Sequence, residues 1–192
     1  MKYALAIALL ATSTICAAAQ ETSWDGWFAG FDAGYIWRAP DEAGPMAGLV
    51  VGHWWQMGQI ALGLDAGGTL GGPYRNTVWS IGLGFGDLKI ETFEAATFSV
   101  RAKAGMPMGD TLPYLAVGPQ FIHVLNTSTS LPSGITSDYW MTRSGWTLAA
   151  GAEHRLSESI SIKGEAGFNG YWSSRGASHS GWSAKAGLNY HF

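Results

Sequence analysis

Trp182-Ser183-Ala184-Lys185-Ala186-Gly187-Leu188-Asn189-Tyr190-His191-Phe192 closes the chain and alternates throughout. In an extended segment Trp182, Ala184, Ala186, Leu188, Tyr190 and Phe192 share one side, while Ser183, Lys185, Gly187, Asn189 and His191 share the other. One aromatic and aliphatic face, one face of Lys, Asn and His, and a closing Phe form the pattern of the last strand of an outer-membrane β-barrel. The rest of the chain must then supply enough two-residue periodicity to close such a barrel.

The opposite end reads as a leader. Met1-Lys2-Tyr3 is a short basic start, Ala4 to Leu10 is apolar, and Ala17-Ala18-Ala19 places small residues before Gln20. This layout predicts a cleavable signal peptide over 1–19 and a mature domain over 20–192. Its apolar part is well short of the roughly 20 residues of a spanning helix. Cys16 is the only cysteine, and the bulky Ile15 before it argues against lipid attachment, so no disulfide holds the mature chain. Beyond the leader no apolar run reaches about 18 residues, which excludes transmembrane helices. A closed barrel is the remaining way to satisfy the backbone in hydrocarbon. Composition agrees: charged residues make up 13%, against a usual share of about 25%, beside 27 Gly and 10 Trp. A net charge of −3 without basic clusters argues against nucleic-acid binding.

Eight strands are predicted, making an all-β, antiparallel, transmembrane up-and-down barrel. The first, 26–37, turns Trp27, Ala29, Phe31, Ala33, Tyr35 and Trp37 outward with Asp32 inward. The second, 46–56, offers Leu49, Val51, His53 and Trp55, and a tight turn at 56–59 leads to the third, 59–70, with Asp65 and Thr69 inward. The fourth, 94–106, sets Phe98, Val100, Ala102, Ala104 and Met106 against Ser99, Arg101, Lys103 and Gly105. The fifth, 112–125, contains Pro119, whose missing N–H breaks the ladder unless a bulge absorbs it. The sixth, 144–155, places Thr147, Gly151, Glu153 and Arg155 inward; the seventh, 159–172, does the same with Lys163, Glu165, Asn169 and Tyr171. Short turns after strands two, four and six alternate with long connections at 38–45, 71–93, 126–143 and 173–180. That alternation puts both termini and the short turns in the periplasm. Segment 71–93 either extends its flanking strands as a hairpin beyond the membrane or adds a pair and makes ten. Asn126–Ser130 and Ser133–Ser137 read as polar surface loops.

The predicted interior carries a charge network of Asp32, Asp65, Glu153 and Glu165 with Arg101, Lys103, Arg155, Lys163 and Lys185. Unpaired buried charges are expensive, so these groups should pair, and an eight-stranded tube is just wide enough to be filled by side chains. A plugged core is one reading. The inward glycines at 30, 34, 63, 67, 105, 118, 151, 167 and 187 leave either spare volume, hence a narrow pore for ions or small solutes, or room for opposing long side chains. Trp27, Trp37, Trp55, Trp146, Trp172, Trp182, Tyr190 and Phe192 lie near strand ends, where amphipathic rings favour the headgroup level. No metal or cofactor is expected: His53, His123, His154, His179 and His191 form neither HExxH nor a Cys/His cluster. The loop Ser174–Ser180 holds serines beside His179 near the rim, a weak hint of acyl chemistry, because neighbours along a strand point to opposite faces. A soluble ligand-binding barrel would expose a large apolar belt.

Five motifs in order resemble one family. Trp24-Asp25-Gly26-Trp27-Phe28-Ala29-Gly30-Phe31-Asp32-Ala33-Gly34-Tyr35 is similar to the first strand of the small outer-membrane barrels of the opacity-protein and alphaproteobacterial major outer-membrane protein type. Ser99–Gly105, Leu112-Pro113-Tyr114, Ser144–His154 and Gly187–Phe192 resemble that family's later strands. Asp32, Ala149 and His191 stand where Asn, Gly and Arg are usual. The resemblance implies an eight-stranded, surface-exposed porin-family barrel in the outer membrane that supports envelope integrity, and the lack of a catalytic constellation in the residues leads to the expectation of no catalysis. Implied partners are outer-membrane lipids and lipopolysaccharide, and, during biogenesis, periplasmic chaperones and the barrel-assembly machinery. Tyr190 and Phe192 are the expected assembly signal, and a monomer is expected.

Overall fold

The computed structural model describes residues 23–38, 42–80, 87–131, 133–172 and 180–192. The leader over 1–19 and most of the Ser174–Ser180 loop lie outside the described residues. The strands are β1 Gly26–Trp37, β2 Ala43–Met57, β3 Ile60–Gly71, β4 Tyr74–Ser80, β5 Asp87–Gly105, β6 Thr111–Ser130, β7 Thr136–Arg155, β8 Ile160–Tyr171 and β9 Gly181–His191. Every pairing is antiparallel, and the ring β1-β2-β3-β5-β6-β7-β8-β9 closes where β9 pairs with β1 over Phe28↔His191 to Trp37↔Trp182. The barrel wall therefore has eight strands, as the alternation required.

β4 is not an additional barrel strand. It continues the line of β3 after a break at Gly72-Pro73, pairs with β5 from Tyr74↔Phe93 to Ser80↔Asp87, and touches β2 only at Ala43↔Tyr74. Pro73 has no N–H to give a ladder, and Gly71 takes a φ of 83° that favours glycine. At the same level β5 carries a bulge, since its register on β6 shifts between Glu94 and Ala96. The hairpin option for 71–93 is thus the one realised. At its base the Tyr74 hydroxyl donates to Glu91 and holds that carboxyl below the usual carboxylate range.

One expectation is corrected. Asn126–Ser130 is not loop but the end of β6, paired with β7 up to Thr129↔Thr136, so the connection shrinks to 131–135. The β-branched threonines there pair across the strands, and Thr129 Oγ1 lies 3.2 Å from Thr136 Oγ1. Pro119 interrupts the β5–β6 ladder as expected, with no pairs between Ser99↔Gln120 and Ala102↔Val117, and no bulge absorbs the break. The proline faces outward, pairs with Trp146, and leaves the β5–β6 register unchanged from Ser99↔Gln120 to Ala102↔Val117. One wall is consequently taller: β5, β6 and β7 have 19, 20 and 20 residues against 12 for β1 and 11 for β9. A strand of twelve residues runs about 40 Å, and tilted it spans the apolar band of about 25 Å; the longer strands project beyond it.

Inside and outside fall as the alternation demands. Phe31, Leu49, Leu64, Phe98, Leu115, Leu148, Ile162 and Leu188 are exposed on the outer face, whereas Asp32, Asp65, Arg101, Lys103, Glu153, Lys163 and Glu165 are buried. The outer aromatics form two girdles. At the short-turn end His53 packs between Trp27 and Trp55, with Tyr190 against Phe192 nearby. At the long-loop end Tyr35 meets Trp37, and Phe168 meets Trp146 and Trp182.

Candidate functional site in the barrel interior

The interior is built in layers. At the short-turn end Trp24, Phe28, Trp54, Leu112 and Tyr114 form an apolar stopper. Trp24, just ahead of β1, is fully buried: its backbone N–H donates to Gln56 Oε1 at 2.7 Å, and its indole N–H to Gly109 O at 3.2 Å. These bonds tie the start of the barrel to two of its short turns. Period-two reading places residues 28 and 54 inward, so the stopper was visible in principle.

Above this layer lies the ionic one. Arg101 donates to both oxygens of Asp65, Nε to Oδ1 at 2.9 Å and Nη2 to Oδ2 at 2.8 Å, and its Nη1 reaches Glu165 Oε1 at 2.7 Å. Lys185 Nζ adds a contact of 3.2 Å to the same Glu165 oxygen, and the Tyr114 hydroxyl donates to Glu165 Oε2 at 3.0 Å. Lys103 Nζ stands 3.7 Å from Asp65 Oδ2, and 4.1 Å and 4.3 Å from the ring centres of Tyr114 and Trp54. That arrangement joins the ionic layer to the aromatic one by cation–π attraction. Lys163 Nζ pairs with Asp32 Oδ2 at 3.1 Å.

Glu153 belongs to a separate polar knot. Its Oε1 accepts from Asn189 Nδ2 at 2.7 Å and from Ser161 Oγ, and lies 3.0 Å from His191 Nε2. Sequence reading placed Asn189 and His191 inward but did not connect them to Glu153, because the contact depends on the β7–β8 and β8–β9 registers. Arg155 sits apart from the other bases. Its guanidinium covers the Trp24 ring at 4.7 Å, and Nη1 donates to Glu158 O at 3.3 Å at the short-turn mouth. Being the last residue of β7, it emerges from the tube where the tube ends.

Inward glycines admit these long groups. A Cβ on Gly63 would stand 2.6 Å from the Trp54 ring, one on Gly151 2.7 Å from the Tyr114 hydroxyl, and one on Gly187 2.9 Å from both Asp32 and Lys163 side chains. The space that glycine frees is filled by neighbours rather than left open. Above the ionic layer remains a polar cavity of about 40 Å³, walled by residues such as Ser99, Gln120, Thr147, Asn169 and Ser183. The long-loop mouth is crossed by Arg38, which pairs with Glu94, donates to the Tyr171 hydroxyl and lies 4.2 Å over the Tyr171 ring. Arg38 and Glu94 fall at the edges of segments read as connection, so neither was assigned to the interior beforehand.

Among the described residues no group of His, Cys, Asp or Glu is arranged to hold a metal ion. His179 and most of its serine-rich loop lie outside the described residues. No curated protein sequence matches the chain. Among solved structures, three similar folds are the attachment invasion locus protein Ail of Yersinia pestis, Neisserial surface protein A, and a major outer membrane protein of Thermus thermophilus. Ail, solved with the heparin analogue sucrose octasulfate, is 12% identical, with 88% of this chain and 97% of Ail covered at a TM-score of 0.52. The Neisserial protein is 14% identical, covering 87% and 97% at 0.54. The Thermus protein is 12% identical, covering 88% and 100% at 0.56. At these identities the likeness is one of fold. A family model for the outer membrane protein beta-barrel domain matches residues 6–192. With its eight-stranded ring, apolar outer belt and paired aromatic girdles, the chain belongs to the outer membrane protein β-barrel domain family.

Proposed function

We propose that this protein is a closed structural barrel that contributes to envelope integrity and presents its tall β4–β7 wall at the cell surface, without catalysis. The observation that carries the reading is the ionic layer, in which Arg101 bridges Asp65 on β3 and Glu165 on β8 across the lumen. A side chain reaching across the tube, above a buried aromatic stopper, supports a filled lumen over an open one. Both termini and the short turns face the periplasm in this reading, and the leader is removed before Gln20. Tyr190 and Phe192 serve as the signal read by the assembly machinery after delivery by periplasmic chaperones. The girdles fit a monomer surrounded by membrane lipid on one side and lipopolysaccharide on the other.

The test is single-channel conductance of the refolded chain in a planar bilayer, after heat-modifiable gel migration has shown that the barrel is folded. A folded, electrically silent protein is the expected result. Discrete, reproducible openings would instead support a narrow channel past Arg101 and Lys103.

A further inference from the structure

The long-loop mouth holds a second cluster, which the closed-barrel reading does not use. A cleft of about 60 Å³ is lined by Arg38, Glu42, Arg75, Thr92, Glu94 and Arg143, from four different parts of the wall, with Pro73 at its edge. Arg38 and Glu94 form one ion pair, with side chains 5% and 6% exposed. Arg75 Nη1 and Glu42 Oε1 form another at 2.9 Å, with the Arg75 side chain half exposed to solvent. Three guanidinium groups thus face two carboxylates, and among the described residues Arg143 has no carboxylate partner.

The hydrogen-bond inventory is also incomplete. Arg38 Nε is buried with no acceptor, and so is Asn126 Nδ2, whose Oδ1 accepts at 3.0 Å from the Thr92 hydroxyl that lines the cleft. Buried donors without acceptors are uncommon because leaving them unmade costs free energy. Water can satisfy a donor, but it cannot neutralise the surplus positive charge. An oxyanion does both, and guanidinium groups match its geometry in forked pairs. The cleft is small and walled mainly by charged and polar side chains, a lining that suits a compact anion.

We propose that this cleft is an oxyanion site that takes a single phosphate or sulfate group, free or carried on a larger surface molecule. Arg143 supplies the uncompensated charge, Arg75 the solvent-facing entry, and the Arg38 Nε a fixed donor. Glu42 sets the affinity by competing for Arg75.

The test is isothermal titration calorimetry on the refolded full chain in detergent, each variant first shown to be folded by heat-modifiable migration, with inorganic phosphate, sulfate and glucose 6-phosphate as probes. Saturable binding is expected. Arg143→Gln should weaken it about tenfold, the worth of one charge-assisted contact. Glu42→Gln should strengthen it, a change of opposite sign that a merely structural cluster would not produce. Lys89→Gln, on the same hairpin but paired 3.1 Å from Glu91 outside the cleft, should leave it unchanged. Tighter binding of glucose 6-phosphate than of phosphate assigns the site to a sugar-borne group; equal binding assigns it to the free ion. Absence of saturable binding by all three probes, or equal weakening by Lys89→Gln and Arg143→Gln, overturns the proposal.

Discussion

Replacing Arg101 with alanine removes the side chain that, among the described residues, pairs β5 with carboxylates on both β3 and β8 through the lumen. Asp65 loses two hydrogen bonds and keeps only Lys103 at 3.7 Å, while Glu165 loses one and keeps Lys185 at 3.2 Å and Tyr114 at 3.0 Å. Both carboxylates stay buried, with side chains 1% and 4% exposed. Breaking a buried pair by deleting one partner costs roughly 3–5 kcal/mol, because the survivor is left uncompensated. The remaining lysines soften that loss, which puts the expected cost at about 3 kcal/mol. With an m value of about 2 kcal/mol/M, the urea midpoint falls by about 1.5 M, read by tryptophan fluorescence and by loss of the heat-modifiable form. The reasoning names stranded carboxylates as the cause, so neutralising them must help. Arg101→Ala combined with Asp65→Asn and Glu165→Gln should recover part of the midpoint. A single variant within about 0.5 kcal/mol of the parent, or a triple variant no better than the single one, would refute the account.

Four further outcomes follow from the same layers. Trp24→Ala should lower stability by about 3 kcal/mol through loss of a buried ring, yet stay silent in planar bilayers; conductance from this change alone would place the seal in the aromatic stopper rather than the ionic layer. Gly63→Val forces Trp54 to move and should cost about 1–3 kcal/mol, whereas Gly164→Val, where a Cβ meets nothing within 4 Å, should be nearly neutral in the same urea titration. Deleting Tyr190 to Phe192 should sharply reduce the barrel recovered in the outer-membrane fraction, and unchanged levels would remove those residues from the assembly signal. Proteinase K added to intact cells should nick the chain near 131–135 and leave the barrel protected, whereas cleavage only after the periplasm is opened would reverse the proposed orientation.

Alternation along the chain was enough to decide which side chains face lipid and which face the lumen, because a strand has a period of two and the membrane rewards one face and penalises the other. Trp182 to Phe192 shows the rule in one strand and places Lys185 inside; the same alternation over 94–106 places Arg101 and Lys103 inside, and over 159–172 Glu165. The short turns fall where the alternating runs end, and Gly58 and Gly109 in them adopt the positive φ that glycine favours. Where strands stop was less legible. Asn126 to Ser130 looks like loop by polarity, but outside the bilayer a strand needs no apolar face, and its partner on β7 decides its fate.

Partnership across the barrel was not readable at all. That Arg101 bridges Asp65 and Glu165 rather than Asp32, that Glu153 is held by Asn189 and His191, and that Arg155 covers Trp24 depend on the register between strands and on the height at which each residue enters the lumen. So does the choice between spare volume and filled space: glycines at 63, 151 and 187 say only that room exists, and the neighbouring Trp54, Tyr114 and Lys163 decide how it is used. Period and composition are properties of one strand and determine sidedness; closure brings residues tens of positions apart to the same level, and only that three-dimensional neighbourhood decides which charges meet.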